Sequence, residues 1–536
     1  MNVHLQRRVL AAAAAIVTAS LVALATLSAN MEAVFGPIDD HEPLEWMGSD
    51  HRLGFTEILP TLFKSTEVGS LGSGSRFRPA YYLVRVTQAS FLGDNPGLWY
   101  LSVIVVFILT CGLLGLVSAK WLSMAAALPN GRAATALLIS ATVAFTAIYS
   151  GLGAWTGIAT RLGPSEGLAT LGVAFLLLGL TKLALGASPW WWAVALSGCA
   201  LACLSKENFA PVVVAGFAMG IYRFATLGRR RSELLLGTLC LTPAVLVALA
   251  LLSSLSTGED IYGQETGTSR LAQSLSSLFL TYELYWLPPL AALALSWLAW
   301  ALARKRRGVA ESLLVLAFIL TIVTWILIDS WIYSGLYIHE RYYMVFQLAK
   351  VLMIAGSLAL GLAAIRTHPK TLILTCAWVA LVATVLLVLS SIRTLPAALE
   401  KLSSSARTNA DATLAYESDL KQVVSTMSAD PSTSTLIVVG SPSDYEPIVA
   451  IAQELNRRVM SGPHLFLRTS FSAAQPKDGL TDGLQGISTV GAAHWKIRPI
   501  GELGDSKPIC VTINGSIAPT PQCQPQSTFN IRARGM

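Results

Sequence analysis

Residues 35–46, with the sequence FGPIDDHEPLEW, place acidic and basic side chains close together shortly after a long apolar run. The cluster consists of Asp39, Asp40, His41 and Glu42. Adjacent carboxylates at a low-dielectric boundary repel one another, so one of them is easier to protonate and can serve as a general base. With a divalent cation, the same cluster could bind a phosphate-bearing ligand. A solvated loop that ends a helix is the alternative interpretation.

Two further groups of charged residues lie at the ends of apolar runs. Lys206 and Glu207, in the sequence CLSKENF, fall in a tight connection, where charge must be solvated or paired. They predict either an exposed turn with a local ion pair or a cation that binds phosphate. In IHERYY, His339, Glu340 and Arg341 precede two tyrosines, which are typical of a membrane interface. Arg341 is either an interfacial anchor or a two-pronged clamp for an anionic group.

Three more arginines are predicted to lie on the same side of the membrane. Arg76 and Arg78 occur in SRFRPAYYL, and Arg161 occurs in ATRLGP. Each of them alone is typical of a surface or snorkelling arginine. Together with the acidic cluster, they are what a site for a sugar phosphate would need. The base and the phosphate-binding cations must come from different loops, because their charges are opposite.

The composition of the chain places these residues in a membrane protein. Of 536 residues, 53% are hydrophobic and only 13% are charged, and the mean hydropathy is +0.58. Apolar runs of about 18 residues or more can cross the hydrocarbon core, and lipid requires them to be helical. The sequence therefore predicts a polytopic α-helical membrane protein with about eleven spans, at roughly 9–28, 99–119, 133–150, 167–185, 189–205, 209–227, 233–255, 285–303, 309–328, 342–365 and 371–392.

The distribution of basic residues predicts the orientation. Arg7 and Arg8 precede the first run, and the later basic clusters near 120–132, 229–231, 304–307 and 366–370 fall on the same side. Cytoplasmic loops carry such an excess of Lys and Arg, so the N-terminus is predicted to be cytoplasmic. The first run could instead be a cleaved signal peptide. The net charge of +7 does not indicate nucleic acid, because no basic stripe alternates with stacking aromatic residues.

Two parts are expected. Residues 1–393 form a transmembrane domain whose long first outside loop, 31–98, carries two amphipathic helices suited to the membrane interface, the second opened by Pro79. Residues 394–536 form a small extracytoplasmic α/β domain, because an odd number of spans exports them. A strand in STLIVVG and a helix from Tyr445 to Arg457 are predicted in it.

Cys510 and Cys523 lie in this polar tail. A disulfide between them would suit an oxidising compartment. The other five cysteines lie within apolar runs and are interpreted as small core residues.

The order of these features resembles a known family. A first span, an outside DDH loop, the stretch RFRPAYYLVRVTQASFLGDNPGLWYL and a SKEN hairpin are similar to GT-C superfamily glycosyltransferases that use polyprenyl-phosphate sugars. The resemblance covers about residues 5–365 and extends to bacterial members related to protein O-mannosyltransferases and to the aminoarabinose transferases of lipid A.

The resemblance implies an inverting transferase in the bacterial cytoplasmic membrane with a lipid-linked sugar donor. It implies that Asp39 or Asp40 is the catalytic base, that Lys206 and Glu207 lie near the donor, and that Arg341 binds its phosphate. The base would deprotonate the acceptor hydroxyl, and the cations would stabilise the departing polyprenyl phosphate.

Several points stay open at the level of sequence. The tail matches no particular branch, so the cell-envelope acceptor could be a glycan, a lipid or a protein. No cofactor is certain, and a divalent cation stays an alternative without a second acidic site to support it. A secondary transporter and a non-catalytic envelope-assembly protein are the competing functions. Charge at the outer ends of the spans, rather than at the midplane, favours the enzyme.

Overall fold

The structure, a computed structural model, is mostly helical. It describes residues 3–38, 40–47, 52–66, 68, 76–127, 131–227, 230–256, 272, 276, 286–304, 309–333, 340–367, 371–429, 435–439, 447, 450–451, 454–455, 458, 465–469, 497–498, 509–513 and 528–532. Within these residues the α-helices are α1 Val3–Leu27, α2 His41–Met47, α3 Ile58–Lys64, α4 Pro79–Leu92, α5 Pro96–Ala126, α6 Arg132–Ser150, α7 Trp155–Ile158, α8 Glu166–Ala184, α9 Trp191–Cys203, α10 Val213–Thr226, α11 Arg231–Leu239, α12 Thr242–Ser256, α13 Leu287–Arg304, α14 Val309–Ile332, α15 Met344–Thr367 and α16 Thr371–Ala429.

The helices have the lengths and compositions of a multi-pass membrane protein. Among the described residues, nine helical segments are long and apolar enough to cross a membrane. Two shorter apolar helices, Trp191–Cys203 and Leu287–Ala303, accompany them. Together these occupy the eleven predicted positions. The first short helix has 13 residues, which is about 20 Å against a hydrocarbon core of about 30 Å, so the number of spans stays a prediction.

Close packing of two helices brings separate loops to one end of the bundle. A Cβ added to Gly172 of α8 would lie 2.3 Å from the backbone nitrogen of Ala202 in α9. A Cβ added to Gly198 of α9 would lie 2.4 Å from the backbone nitrogen of Leu176. Small residues allow helix backbones to touch in this way. The start of α8 is therefore held beside the connection that follows α9.

The long loop after α1, predicted to lie outside, contains the two predicted helices. A 3-10 turn, Phe55–Glu57, continues into α3, and α4 begins at Pro79 as predicted. Leu62 is buried, whereas Phe55, Leu59 and Phe63 are exposed. An amphipathic helix with this exposed apolar face suits the membrane interface.

The tail contains a small parallel sheet. Its strands are β1 Thr435–Val439, β2 Leu465–Thr469, β3 Ile497–Arg498, β4 Ile509–Ile513 and β5 Thr528–Ile531, in the order β3-β2-β1-β4-β5. Thr435 pairs with Leu465 on one side and Ile509 on the other. The strand predicted in STLIVVG is thus central to the sheet, whereas the predicted helix from Tyr445 falls largely outside the described residues.

Helix α16 connects the last apolar run to this sheet. It continues unbroken past residue 394, where the sequence predicts the start of the tail domain. Glu417 of α16 accepts two hydrogen bonds from Arg458, at 2.9 and 2.7 Å. Asp419 accepts a hydrogen bond from the guanidinium of Arg532, next to β5, at 2.7 Å. Burial lowers the pKa of Arg458, but its hydrogen bonds to Glu417 and Glu454 outweigh burial and raise the pKa, so Arg458 stays charged.

We expect Arg458→Ala to loosen the tail from α16, because it leaves the partly buried Glu417 without its two-pronged partner. The expected loss is about 1–3 kcal/mol. Limited proteolysis of the full chain in detergent measures it as faster cleavage between α16 and β1. Lys421→Ala is the matched control, since its exposed pair with Glu417 at 3.3 Å contributes only about 0.3–0.5 kcal/mol. Equal cleavage of the two variants would contradict the contact.

Candidate functional site

Asp40 is buried and holds two loops together. Its side chain is 2% exposed, and its Oδ2 accepts a hydrogen bond from the backbone of Gly36 at 2.8 Å. Its Oδ1 accepts one from the backbone of Leu162 at 3.2 Å. The hydroxyl of Tyr100, at the start of α5, donates to Oδ2 at 3.5 Å. Asp40 therefore fixes the loop after α1 against the connection between α6 and α8.

The neighbours of Asp40 in the acidic cluster are only partly described. Asp39 lies outside the described residues. His41 and Glu42 begin α2, but the structure describes only their backbone.

The connection between α6 and α8, residues 151–165, is held by three side chains that precede α5. The side-chain amide of Asn30 donates to the carbonyl of Ala159 at 2.8 Å, and the hydroxyl of Tyr81 donates to the carbonyl of Gly163 at 2.6 Å. Arg85 donates to the carbonyl of Leu162. Asn30 and helix α4 thus hold this connection in place through its backbone carbonyls.

Lys206 forms a buried ion pair rather than a local one. Its Nζ lies 3.1 Å from Oε1 of Glu166, the first residue of α8. Lys206 is 8% exposed and Glu166 is 2% exposed. The Lys206 ammonium also lies 5.4 Å from the ring centroid of Tyr342. The alternative of an exposed turn with a local ion pair does not describe this arrangement.

Glu207 points to a different partner. Its Oε1 accepts a hydrogen bond from the backbone of Phe77 at 3.2 Å and lies 3.7 Å from Nε of Arg78. Arg78 is buried and its guanidinium also lies within 5.6 Å of the rings of Tyr81 and Tyr82. Glu207 and Arg78 therefore connect the SKEN hairpin to the start of α4.

A second buried acid accompanies the Lys206 pair. Asp329, near the end of α14, is fully buried, and its Oδ1 accepts a hydrogen bond from Asn208 at 2.5 Å. Within the described residues, the other Asp329 oxygen and the hydroxyls of Ser165 and Ser205 have no hydrogen-bond partner. Buried polar groups are normally paired with protein or water. The interior between α8, α9 and α14 is therefore polar enough to hold water or the polar part of a ligand.

A polar cavity of about 280 Å³ lies beside these contacts. Arg161 and Arg341 both line it, together with Glu340 and a stretch of α16 that includes Asn409. Asn409 donates to the hydroxyl of Tyr100 at 3.2 Å, and Tyr100 bonds to Asp40. The remaining lining residues are Thr156, Gly157, Thr160, Ser404, Ser405 and Thr408. Two guanidinium groups and several hydroxyls make this cavity suitable for an anion with hydroxyl groups.

Glu340 stabilises one wall of the cavity through hydrogen bonds to two other elements. Its carboxylate accepts hydrogen bonds from Thr156 and from Lys401 of α16. The next residue, Arg341, packs against Gly157, where an added Cβ would meet the Arg341 backbone at 3.2 Å. Arg341 also interacts electrostatically with Glu166. The cavity and the Lys206 pair are thus neighbours that share Arg341.

The structure therefore gathers only part of the predicted set around the cavity. Arg161, Arg341 and Glu340 line it, whereas one residue separates Asp40 and Lys206 from its walls. Tyr100 lies between Asp40 and Asn409, and Glu166 lies between Lys206 and Arg341. Arg76 is exposed, and His339 lies outside the described residues. Among the described residues no group of three or more His, Cys, Asp or Glu side chains could hold a metal ion. Because the acidic cluster is only partly described, the divalent cation stays a prediction.

The described cysteine of the tail does not line the cavity. Cys510 in β4 is disulfide-bonded, and its predicted partner, Cys523, lies outside the described residues. The cysteines of the apolar runs are free, and four of the five are buried.

Several residues at the site were not predicted. Glu166 had a usable signal, since it is the only acidic residue between Asp94 and Glu207. An isolated acid at the start of an apolar helix calls for a partner. Asn409 and Tyr100 had no such signal, because neutral polar residues are common at helix surfaces.

Comparison with protein-family models finds no match to this chain, and comparison with curated protein sequences finds none. The resemblance to GT-C glycosyltransferases therefore stays a prediction. Function has to be argued from the chemistry of the site.

Proposed function

We propose that this protein transfers a sugar from a polyprenyl-phosphate donor to a cell-envelope acceptor on the outer face of the bacterial cytoplasmic membrane. One observation carries the proposal. The polar cavity with Arg161 and Arg341 adjoins an apolar groove, and Glu340 lines both. A lipid-linked sugar phosphate also has two such parts, an anionic end with hydroxyl groups and an apolar chain.

The groove has room for part of a hydrocarbon chain. Its volume is about 540 Å³, and it lies between the end of α6, α15 and α16. Apolar side chains dominate its lining, which includes Ile148, Leu152, Phe346, Val351 and Leu395. A water-soluble sugar nucleotide would gain nothing from such a surface, whereas burial of a prenyl chain there is favourable. The groove therefore supports a membrane-bound donor.

The proposed reaction uses opposite charges on opposite sides of the sugar. A carboxylate of Asp39 or Asp40 takes the proton of the acceptor hydroxyl, whose oxygen forms a bond to the anomeric carbon. The bond from that carbon to the phosphate oxygen breaks, and its electron pair leaves with polyprenyl phosphate. Arg161, Arg341 and Lys206 stabilise the phosphate as its charge increases. The anomeric configuration inverts because the attack is a single displacement.

The distribution of charge supports the proposed orientation. The cavity is lined by residues just before α8 and α15 begin, whereas Lys182 and Arg366 lie near the ends of these two helices, and Lys182 lies near Arg8 and Lys120. Basic residues favour the cytoplasmic side. The N-terminus is then cytoplasmic, and the cavity and the tail sheet are extracytoplasmic.

Radiolabelled polyprenyl-phosphate sugars, offered to the purified protein with envelope acceptors, test the function. We expect label in an acceptor fraction and release of polyprenyl phosphate with at least one donor. Absence of transfer from every donor, combined with solute uptake into proteoliposomes, would replace the proposal with a transporter. Absence of both would favour the envelope-assembly function.

Two of the arginines predicted to lie on the same side of the membrane should differ in effect. Arg161→Gln removes a cation that lines the cavity, and we expect the transfer rate to fall at least about tenfold, the effect of one charge-assisted hydrogen bond. Arg76→Gln removes an exposed cation from the same face and should leave the rate unchanged. Initial rates at subsaturating donor measure both. Equal rates for the two variants would exclude Arg161 from donor binding.

A further inference from the structure

A second cleft lies at the opposite end of the helical bundle from the candidate site. Its volume is about 370 Å³, and it is enclosed by α5, α8, α10, α13, α14 and α15. The lining is apolar, with Leu177, Met219, Trp300 and Phe318 among its residues. Among the described residues of this lining, Thr181 carries the only hydroxyl, and its oxygen already accepts a hydrogen bond from Trp121 at 2.9 Å. The cleft therefore suits hydrocarbon rather than a polar ligand.

The mouth of this cleft is basic. The guanidinium of Arg366 donates to the carbonyl of Ala125, a lining residue, at 3.3 Å. Lys120 and Lys182 are adjacent in sequence to the lining residues Trp121 and Thr181, and the Lys182 ammonium lies 5.3 Å from the ring centroid of Trp191 in the neighbouring α9. These two lysines repel each other, and Arg8 of α1 repels both. Helix packing thus places like charges together at one point of the surface.

Acidic residues do not balance this charge. Among the described residues at this end of the bundle, Glu233 and Glu311 are the acidic ones. Glu233 is buried and already paired with Arg223, whose guanidinium donates to both carboxylate oxygens at 2.7 and 3.1 Å. An anion from outside the chain is therefore the natural complement of the basic mouth.

We propose that this cleft is a binding site for an anionic phospholipid. One acyl chain fills the apolar cleft, and the phosphate and its anionic headgroup lie against Arg366 and Lys120, in the positive field to which Lys182 and Arg8 also contribute. Charge complementarity selects an anionic lipid over a zwitterionic one, because each basic residue near an anionic headgroup contributes about 1 kcal/mol. The lining residue Met124, next to Ala125, is 41% exposed, so a lipid can reach the cleft from the surface at this point. This site is independent of the sugar-transfer proposal.

Native mass spectrometry of the full-length protein, titrated with dioleoyl-phosphatidylglycerol or dioleoyl-phosphatidylcholine, tests the headgroup. The two lipids have identical chains, so their difference reports charge alone. We expect the wild type to bind phosphatidylglycerol about tenfold more tightly. Lys120→Gln/Arg366→Gln should abolish this preference. Lys64→Gln/Arg393→Gln removes two exposed cations from the other end of the bundle and should preserve it.

Variants that fill the cleft test whether the acyl chain binds there. Ala359→Phe places a bulky side chain into the lining and should weaken the binding of both lipids. Ala359→Leu and Ala218→Leu are smaller replacements within the same cleft, and thermal unfolding identifies the folded variants to compare. Equal affinity of the wild type for the two lipids would overturn the proposal. A retained preference in the charge variant, or unchanged binding in every folded cleft variant, would do so as well.

Discussion

Asp39→Asn/Asp40→Asn is expected to slow sugar transfer by about a hundred- to ten-thousandfold, the usual contribution of a positioned general base. An amide cannot accept the proton of the acceptor hydroxyl, so the chemical step fails although the donor still binds. Transfer rates at saturating donor, with donor binding measured separately, distinguish the two effects. Asp94→Asn is the control, because Asp94 is an exposed carboxylate at the same end of the bundle. Transfer at the wild-type rate would refute the general base.

The single variants should then separate the two aspartates. Asp40 accepts backbone hydrogen bonds at both oxygens, and an asparagine places an NH₂ group against one of those donors. We therefore expect Asp40→Asn to cost about 1–3 kcal/mol of stability and to lower the unfolding temperature. If Asp39 is the base, Asp39→Asn loses transfer and Asp40→Asn retains part of it. The reverse order of rates would assign the base to Asp40.

The second large effect is expected at Lys206. Lys206→Ala leaves Glu166 buried without the ammonium that lies 3.1 Å from its carboxylate. Breaking a buried ion pair in this way costs about 3–5 kcal/mol of stability. The electrostatic attraction of Arg341 for Glu166 places the expected loss at the lower end of this range. We also expect transfer to fall by about a hundred- to a thousandfold, because one cation is lost from the phosphate. Thermal unfolding and initial rates measure the two losses.

A compensated variant separates these two consequences. Lys206→Ala/Glu166→Gln removes both charges, so most of the stability should return while transfer stays low. Lys401→Ala is the control for stability, because its pair with Glu340 is 56% and 47% exposed and contributes less than about 1 kcal/mol. Full recovery of transfer in the compensated variant would show that Lys206 serves only the fold.

Much of the fold could be predicted because the evidence for a membrane helix is local. Apolar runs long enough to cross the bilayer are contiguous in sequence, and all eleven predicted positions are helical. Pro79 opens α4 as predicted, since proline suits the first turn of a helix. The length of α16 could not be predicted, because its polar second half forms a helix by packing on the tail and on the loop after α1.

The sequence by itself determined the class of this protein, the positions of its helices and the residue types at its charged loops. Only the tertiary structure decided which charges meet. Lys206 pairs with Glu166 rather than with its neighbour Glu207, which turns to Phe77 and Arg78. Asp40 is held by Leu162, 122 residues away. The physical reason is that sequence patterns report neighbours along one helix or strand, whereas a buried charge takes the partner that helix packing brings to it.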